Sequence, residues 1–448
     1  MIPSTAELVV EMSKVDWQDQ EKRRWMKTRD KAYDYYKGRT EPYTKQYFSD
    51  GLSKKIPCPN INLTKRVIDR VSLVYMKPPI REYSAEYVPD VLHQKDFKMQ
   101  RAEKLTNLLE LILIKVCWRG DRIEYDIIRD WEPIFGDDPL KPNAITYPLQ
   151  VRSSVLDTTP EIWAYWDDEN YFHYEKATGK KLVIEGNESM INPYGMLPFI
   201  ECYKEGKPES SYFDTDASPD LIATNEATNV AEFNKNANIM FQSFGFGYIN
   251  GSNIEKDRIE IGQDKWSFLG HDGTLNMIAP PNSVPALTDS IKESYKMLAQ
   301  NYHLNISFVE GTAAESGVAL RLRNQELMDS RRSDVERWLQ IEKKIFELEE
   351  RVINVELGRD AGELIKVDYE ESTEILSEDE QRAKWDWELS HKIIDTADIL
   401  MQRDPDKFTT REEALEYLDE RSGKKEEEEM NKEEEQTSPL LQALTTPV

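Results

Sequence analysis

Long apolar runs are missing from this chain of 448 residues. None approaches the ~18 continuous apolar residues that a membrane span requires. The strongest, Leu105 to Trp118, is interrupted by Glu110 and Lys115. The length is enough for several domains and a sizeable core, and with 39% hydrophobic and 32% charged residues the composition predicts a soluble, mostly folded chain. Cysteine is scarce. Cys58, Cys117 and Cys202 stand singly and in odd number, which predicts a reducing compartment and buried or idle thiols. The opening Met1-Ile2-Pro3-Ser4-Thr5-Ala6-Glu7 lacks the basic-then-apolar order of a secretory signal, so none is expected there.

Catalytic signatures are equally sparse. No Gly-x4-Gly-Lys-Ser/Thr phosphate loop occurs. The glycines of Gly245-Phe246-Gly247-Tyr248-Ile249-Asn250-Gly251 are one residue off the dinucleotide fingerprint, and strand-like sequence follows them. His93, His173, His271, His303 and His391 are isolated, without a metal-ligand neighbour at helical spacing. Asp137-Asp138 and Asp167-Asp168-Glu169 are the best candidates for Mg²⁺ in nuclease chemistry. Both fall in expected turns, where acidic residues serve the geometry. The expectation is therefore no catalytic, cofactor or metal site.

Basic charge is in deficit: 58 basic against 84 acidic residues give a net charge of −26. A protein that grips the phosphate backbone carries a basic footprint, and this one lacks it. Such acidity keeps a monomer soluble, repels nucleic acid, or lines a surface along which DNA slides without sticking.

Glycine and proline are absent between Gly317 and Gly358. This segment predicts one very long helix, roughly 60 Å at ~1.5 Å per residue. Val335, Trp338, Ile341, Ile345, Leu348, Val352 and Val355 recur every three or four residues along it. Asp329-Ser330-Arg331-Arg332-Ser333-Asp334 interrupts the stripe, so a bend or exposed segment is expected there. A helix of that length calls for burial by something beyond its own local fold. Just upstream lies the small-residue stretch Val309-Glu310-Gly311-Thr312-Ala313-Ala314-Glu315-Ser316-Gly317.

The remaining elements are read from pattern. The first fifty residues are helical and aromatic, with Trp17, Trp25, Tyr33, Tyr35, Tyr36, Tyr43 and Tyr47, and predict packing onto a neighbour. Asn60 to Tyr75 reads as an amphipathic helix stopped by Pro78-Pro79. A second, apolar helix is expected over Met99 to Cys117. Alternating runs at 123–127, 162–166, 171–174 and 181–184 predict antiparallel strands. Asn192-Pro193-Tyr194-Gly195-Met196-Leu197-Pro198-Phe199-Ile200 reads as a turn delivering a strand. Ser218-Pro219 predicts a hydroxyl N-cap for a helix to about Gln242. That helix carries Asn225, Asn229, Asn234, Asn236 and Asn238, an uncharged polar face suited to water, neighbouring copies or a channel. Residues 265–269 and 274–278 read as a hairpin, followed by a helix over 285–303. A strand at 364–369, a helix at 377–401 and a last helix with Thr410 and Glu413 at capping-box spacing come next. The Glu-rich stretch from Ser422 reads as low-complexity tail.

Several local sequences, in this order, resemble the portal proteins of tailed double-stranded-DNA bacteriophages, of the siphophage type. Asn192 to Ile200 resembles that family's Asn-Pro-x-Gly-x-Ile-Pro turn and strand. Ser316-Gly317-Val318-Ala319-Leu320 resembles its Ser-Gly-x-Ala-Leu at the start of a long helix. Asn62 to Pro79 is similar to its early Asn…Val-Val-Asp…Tyr…Pro segment. The resemblance implies an α+β portal-like fold: α-helical stem, long wing helix, antiparallel β-rich wing, small β clip insert and helical crown. Its parts fall at 1–217 (N-terminal arm and wing), 218–242 (stem helix), 243–281 (clip) and 282–303 (stem helix). Next come 304–316 (tunnel loop), 317–366 (long wing helix and return strand), 367–421 (crown) and 422–448 (acidic tail).

The implied function is a ring of about twelve copies at the capsid vertex. Double-stranded DNA would pass non-specifically through it during packaging and ejection. Implied partners are the terminase large subunit, head–tail connector or adaptor proteins, and the major capsid and scaffolding proteins, in the virion and in the host cytoplasm during assembly. No membrane and no cofactor are implied. Glu310, Gly311, Thr312, Ala313, Ala314, Glu315 and Ser316 would face the channel, and Tyr248, Trp266 and Phe268 would dock partners at the clip. The competing readings are a Mg²⁺-dependent nuclease using the acidic turns and a helical cytoplasmic scaffold.

Overall fold

The computed structural model describes residues 16–150, 160–242, 246–250, 274–278, 283–304, 317–369, 378–403, 407–408 and 410–419. The chain is α+β, with helices and antiparallel sheets. It divides into two compact units, Met1–Ala314 with Leu322–Glu371, and Glu315–Arg321 with Ser372–Val448.

The larger unit opens with α1 (Asp16–Lys37), whose Trp25, Arg29, Ala32 and Tyr35 share one buried face at helical spacing. The expectation that these aromatics pack onto a neighbour fails for Trp25 and Tyr35. Both lie in the chain's own core, with Tyr33, Tyr36 and Tyr43 packed against it. Arg29 explains why. Its guanidinium donates to the carbonyls of Leu109, Leu111 and Arg129 and lies 4.3 Å from the Trp25 ring and 4.9 Å from the Trp131 ring.

After the short α2 (Glu41–Lys45) and α3 (Asp50–Ser53) comes α4 (Leu63–Val71), capped by Asn62, which accepts from Lys65 N at 2.8 Å. This helix was expected to continue to Tyr75 but ends at Val71. The N–H groups of Val74 and Tyr75 go to the Glu103 carboxylate instead of to carbonyls one turn back. β1 (Ile80–Tyr83) and α5 (Val88–Val91) lead to α6 (Lys95–Leu109).

The helix expected over Met99 to Cys117 is the main misreading. α6 stops at Leu109, Glu110 takes φ +64°, and β2 (Leu111–Arg119) begins at once. Leu111, Ile112, Leu113, Ile114 and Val116 are fully buried because β2 is the central strand, between β3 (Arg122–Ile128) and β9 (Phe199–Tyr203). A strand covered on both faces reads as a continuous apolar run, which periodicity does not separate from a helix.

A second antiparallel sheet has the order β4 (Glu132–Phe135), β5 (Pro142–Gln150), β6 (Ile162–Trp166), β7 (Tyr171–Glu175), β8 (Lys181–Leu182). The runs expected at 162–166 and 171–174 form β6 and β7, and the one at 181–184 is a strand only over Lys181–Leu182. The turn before β9 forms as read: Asn192 accepts from Tyr194 N and donates to the carbonyls of Asp167 and Met196, while Gly195 takes φ +64°.

Two long helices follow, α7 (Pro219–Gln242) and α8 (Val284–Asn301), and they pack against each other. Between them in sequence, β10 (Phe246–Asn250) pairs antiparallel with β11 (Thr274–Ile278). The expected pairing of 265–269 with 274–278 falls on residues outside the described ones, while 274–278 pairs with 246–250.

α9 (Gly317–Leu357) is helical throughout its 41 residues. Helical hydrogen bonding runs unbroken through Asp329–Asp334, which is instead among its more exposed stretches. Gly358 at φ +62° ends it, its N–H bonding to Asn354 O. β12 (Leu364–Asp368) returns to pair with β1.

In the smaller unit, α10 (Glu378–Ser390) and α11 (Thr396–Arg403) replace the single helix expected over 377–401. The break has its own cap: Asp395 and Asp398 exchange side-chain-to-backbone bonds of 2.9 and 3.0 Å. The helix 411–419 begins with the capping box read from sequence, Thr410 N bonding Glu413 and Glu413 N bonding Thr410. Ala397, Phe408 and Ala414 form the local core.

Candidate functional site

Two features meet at the paired helices and the long helix after them. The first is how α7 and α8 are tied to the body. Asn225 and Asn229 of α7 are fully buried. Asn225 Oδ1 accepts from Thr64 N and Thr64 Oγ1, and its Nδ2 donates to Ile61 O at 2.9 Å. Asn229 Oδ1 accepts from Ile61 N at 2.9 Å. These amides were expected to face water or neighbouring copies. They serve instead as buried partners for the backbone that leads into α4, where an apolar side chain would leave peptide groups orphaned. Asn236 is exposed, so the uncharged polar face survives only on the distal part of the helix.

Ser218, expected as an N-cap, holds φ +43° and gives its hydroxyl to the carbonyls of Asn107 and Leu108 at the end of α6. Tyr302, just past α8, donates to Asp220 Oδ1 at 2.8 Å, joining the start of α7 to the end of α8. A cleft of about 800 Å³ opens here, lined among others by Glu110, Lys204, Asp216, Asp220, Tyr302 and Asp334. Burial raises the Glu110 carboxyl, and Lys204, 2.9 Å away, opposes it.

The second feature is the seat of α9. From Trp338 to Ile353 its inward face is covered by the chain's own body, with Trp338, Ile345 and Ile353 fully buried. The expectation of burial by something beyond the local fold is therefore corrected for this half of the helix. Glu342 and Glu349, two turns apart on the same face, are fully buried. Arg81 meets Glu342 at 2.6 and 3.1 Å. Lys95 lies 3.2 Å from Glu342 and 2.7 Å from Glu349. Tyr75 donates to Glu342 at 2.8 Å, Tyr125 donates to Glu349, and Arg81 also pairs with Asp96.

Burial alone would raise the Glu342 carboxyl; Lys95 and Arg81 outweigh it and hold it down to about 2. Burial likewise opposes the charge on Lys95, and Glu342 and Glu349 overcome it. The cluster's charges are paired with one another, Arg81 and Lys95 on Glu342 and Lys95 on Glu349. It anchors α9 to β1, α6 and β3. Sequence reading missed it, although Glu342 and Glu349 fall inside the apolar stripe, where unpaired carboxylates do not survive.

The residues singled out from sequence are distributed as follows. Glu310, Gly311, Thr312, Ala313, Ala314, Glu315 and Ser316 lie outside the described residues, as do Trp266 and Phe268. Tyr248 is the middle residue of β10, opposite Asn276. The acidic turns are used by the backbone: Asp138 accepts from Leu140 N, and Asp167 accepts from Glu169 N and Asn170 N. His173 shares a 3.0 Å bond with the Tyr171 hydroxyl, and burial lowers its basicity. Among the described residues no group of three or more His, Cys, Asp or Glu is arranged to hold a metal ion. Nor is any described helix long and apolar enough to cross a membrane.

No protein-family model matches the chain, and a search of curated proteins finds no match either.

Proposed function

We propose that this chain is a portal-type subunit of a tailed double-stranded-DNA phage. About twelve copies would form a closed ring through which the genome is packaged and later ejected. The observation that carries this reading is a single run of architecture. A packed helix pair, α7 and α8, is joined through the β10–β11 ribbon. It is followed by a 41-residue helix clamped into an α+β body. In this reading α7 and α8 are the stem, the ribbon is the clip that docks the packaging motor and then connector proteins, and the segment 305–316, outside the described residues, would be the tunnel loop.

Charge supports the same reading. At −26 per copy, the ring would carry roughly −300, a field that centres a moving polyanion and disfavours wall contacts. The chain would then act without an active site of its own, ATP hydrolysis belonging to a separate motor. Negative-stain images of the purified protein test this directly. Closed rings with a central hole are the expected result, and fields of small solid particles would reject it.

A further inference from the structure

Glu103 is fully buried on α6, and its two carboxylate oxygens accept one backbone N–H each, from Val74 at 2.8 Å and from Tyr75 at 3.0 Å. Both donors belong to the turn 72–75 that ends α4. The same turn is held at other points. Asn107 Nδ2 donates to Ser72 Oγ, Gln100 Nε2 to Tyr75 O, and Arg331 Nε to Leu73 O. Those partners keep their hydrogen-bonding character between mildly acid and mildly alkaline conditions. Glu103 alone among them gains a donor and loses an acceptor site when it takes a proton.

We propose that Glu103 is a proton-operated latch on the 72–75 turn. Ionised, it holds both N–H groups; protonated, its hydroxyl oxygen gives up one of them and the segment carrying Tyr75 loosens. The consequence extends beyond the turn. The Tyr75 hydroxyl donates to Glu342 at 2.8 Å and lies 3.0 Å from the Tyr369 hydroxyl, and its ring packs edge-on against Trp338 at 5.2 Å. The latch therefore acts on the seat of α9 and on the residue that follows β12.

The surroundings favour a proton transfer under ordinary conditions. Burial is the largest influence and raises the Glu103 carboxyl to about 7, against the pull of the Tyr75 and Val74 N–H groups. From α9, Asp334 opposes ionisation and Arg337 favours it, and these two are paired with each other at 2.8 Å. Arg331 and Trp338 also lie on that side, Tyr369 faces from the end of β12, and the neutral Gln100 and Asn107 share α6 with Glu103.

Hydrogen exchange of the intact protein, read by mass spectrometry on peptides covering 72–76, tests the latch. Rates are compared at about pH 6 and about pH 8.5, after correction for intrinsic exchange. Protection of the Val74 and Tyr75 amides should be about tenfold lower at the acid end, the loss of one hydrogen bond to a charged group, while β2 peptides stay unchanged. Glu103→Gln should hold the turn at its low-protection value at both ends. Asp334→Asn should move the midpoint of the wild-type transition to lower pH. Equal protection at both pH values in the wild type overturns the proposal, even if the glutamine variant fails to fold. A pH response that persists in Glu103→Gln, or a midpoint that Asp334→Asn leaves in place, also overturns it. None of these outcomes depends on ring formation.

Discussion

Arg81 and Glu342 stand 261 positions apart in sequence and meet through nitrogen–oxygen bonds of 2.6 and 3.1 Å. The first is on the edge ribbon and the second midway along the buried part of α9. Their pairing, with Lys95 bridging Glu342 and Glu349, fixes where the long helix lies on the body of the larger unit. Two carboxylates on an apolar stripe would otherwise be strongly unfavourable, so the seat depends on these partners.

Glu342→Gln should lower stability by about 3–5 kcal/mol, because Lys95 and Arg81 lose their shared counter-ion in a buried site. Urea unfolding measures this. The same site sets an acid limit. The Glu342 carboxyl sits lower in the folded chain than in the unfolded one, so its contribution is complete above the ordinary carboxylate range. It is lost as pH falls through about 2. The variant should therefore show a shallower loss of stability below about pH 4 than the wild type. A stability change within ~0.5 kcal/mol would show that the seat is not a unit.

Asn225→Ala should cost about 1–3 kcal/mol by leaving Thr64 N and Ile61 O unpaired in the interior. Asn236→Ala, on the exposed part of the same helix, should change stability by less than ~0.5 kcal/mol. Thermal unfolding of the two variants separates a buried clamp from a uniformly solvated amide face, which predicts equal, small effects.

Replacing Glu310 and Glu315 together with lysine should leave assembly intact and slow DNA translocation in a packaging assay. In the proposed ring each lysine would add phosphate contacts that must be broken at every step. Packaging at the normal rate by such rings would remove 305–316 from the channel.

Much of the fold is legible in the chain because local signals agree with it. Gly317 and Gly358 bracket α9, Thr410 and Glu413 form their capping box, and Asn192 to Gly195 build the turn before β9. The failures share a cause: tertiary context that no local pattern carries. The apolar run after Glu110 is a strand because β3 and β9 flank it, not because its period changes. Asn225 and Asn229 read as surface amides because nothing local shows that the chain at Ile61–Thr64 needs partners. The clamp on α9 was partly visible, since Glu342 and Glu349 share the face of Trp338, Ile345 and Val352. Their partners Arg81 and Lys95 were not, being supplied by distant segments.

The mass of the protein in solution bears most directly on the proposed function. Light scattering at micromolar concentration and moderate salt should give a closed assembly near 630 kDa, about twelve times the 52.3 kDa chain. A mass corresponding to one to four copies, unchanged by concentration, would contradict it.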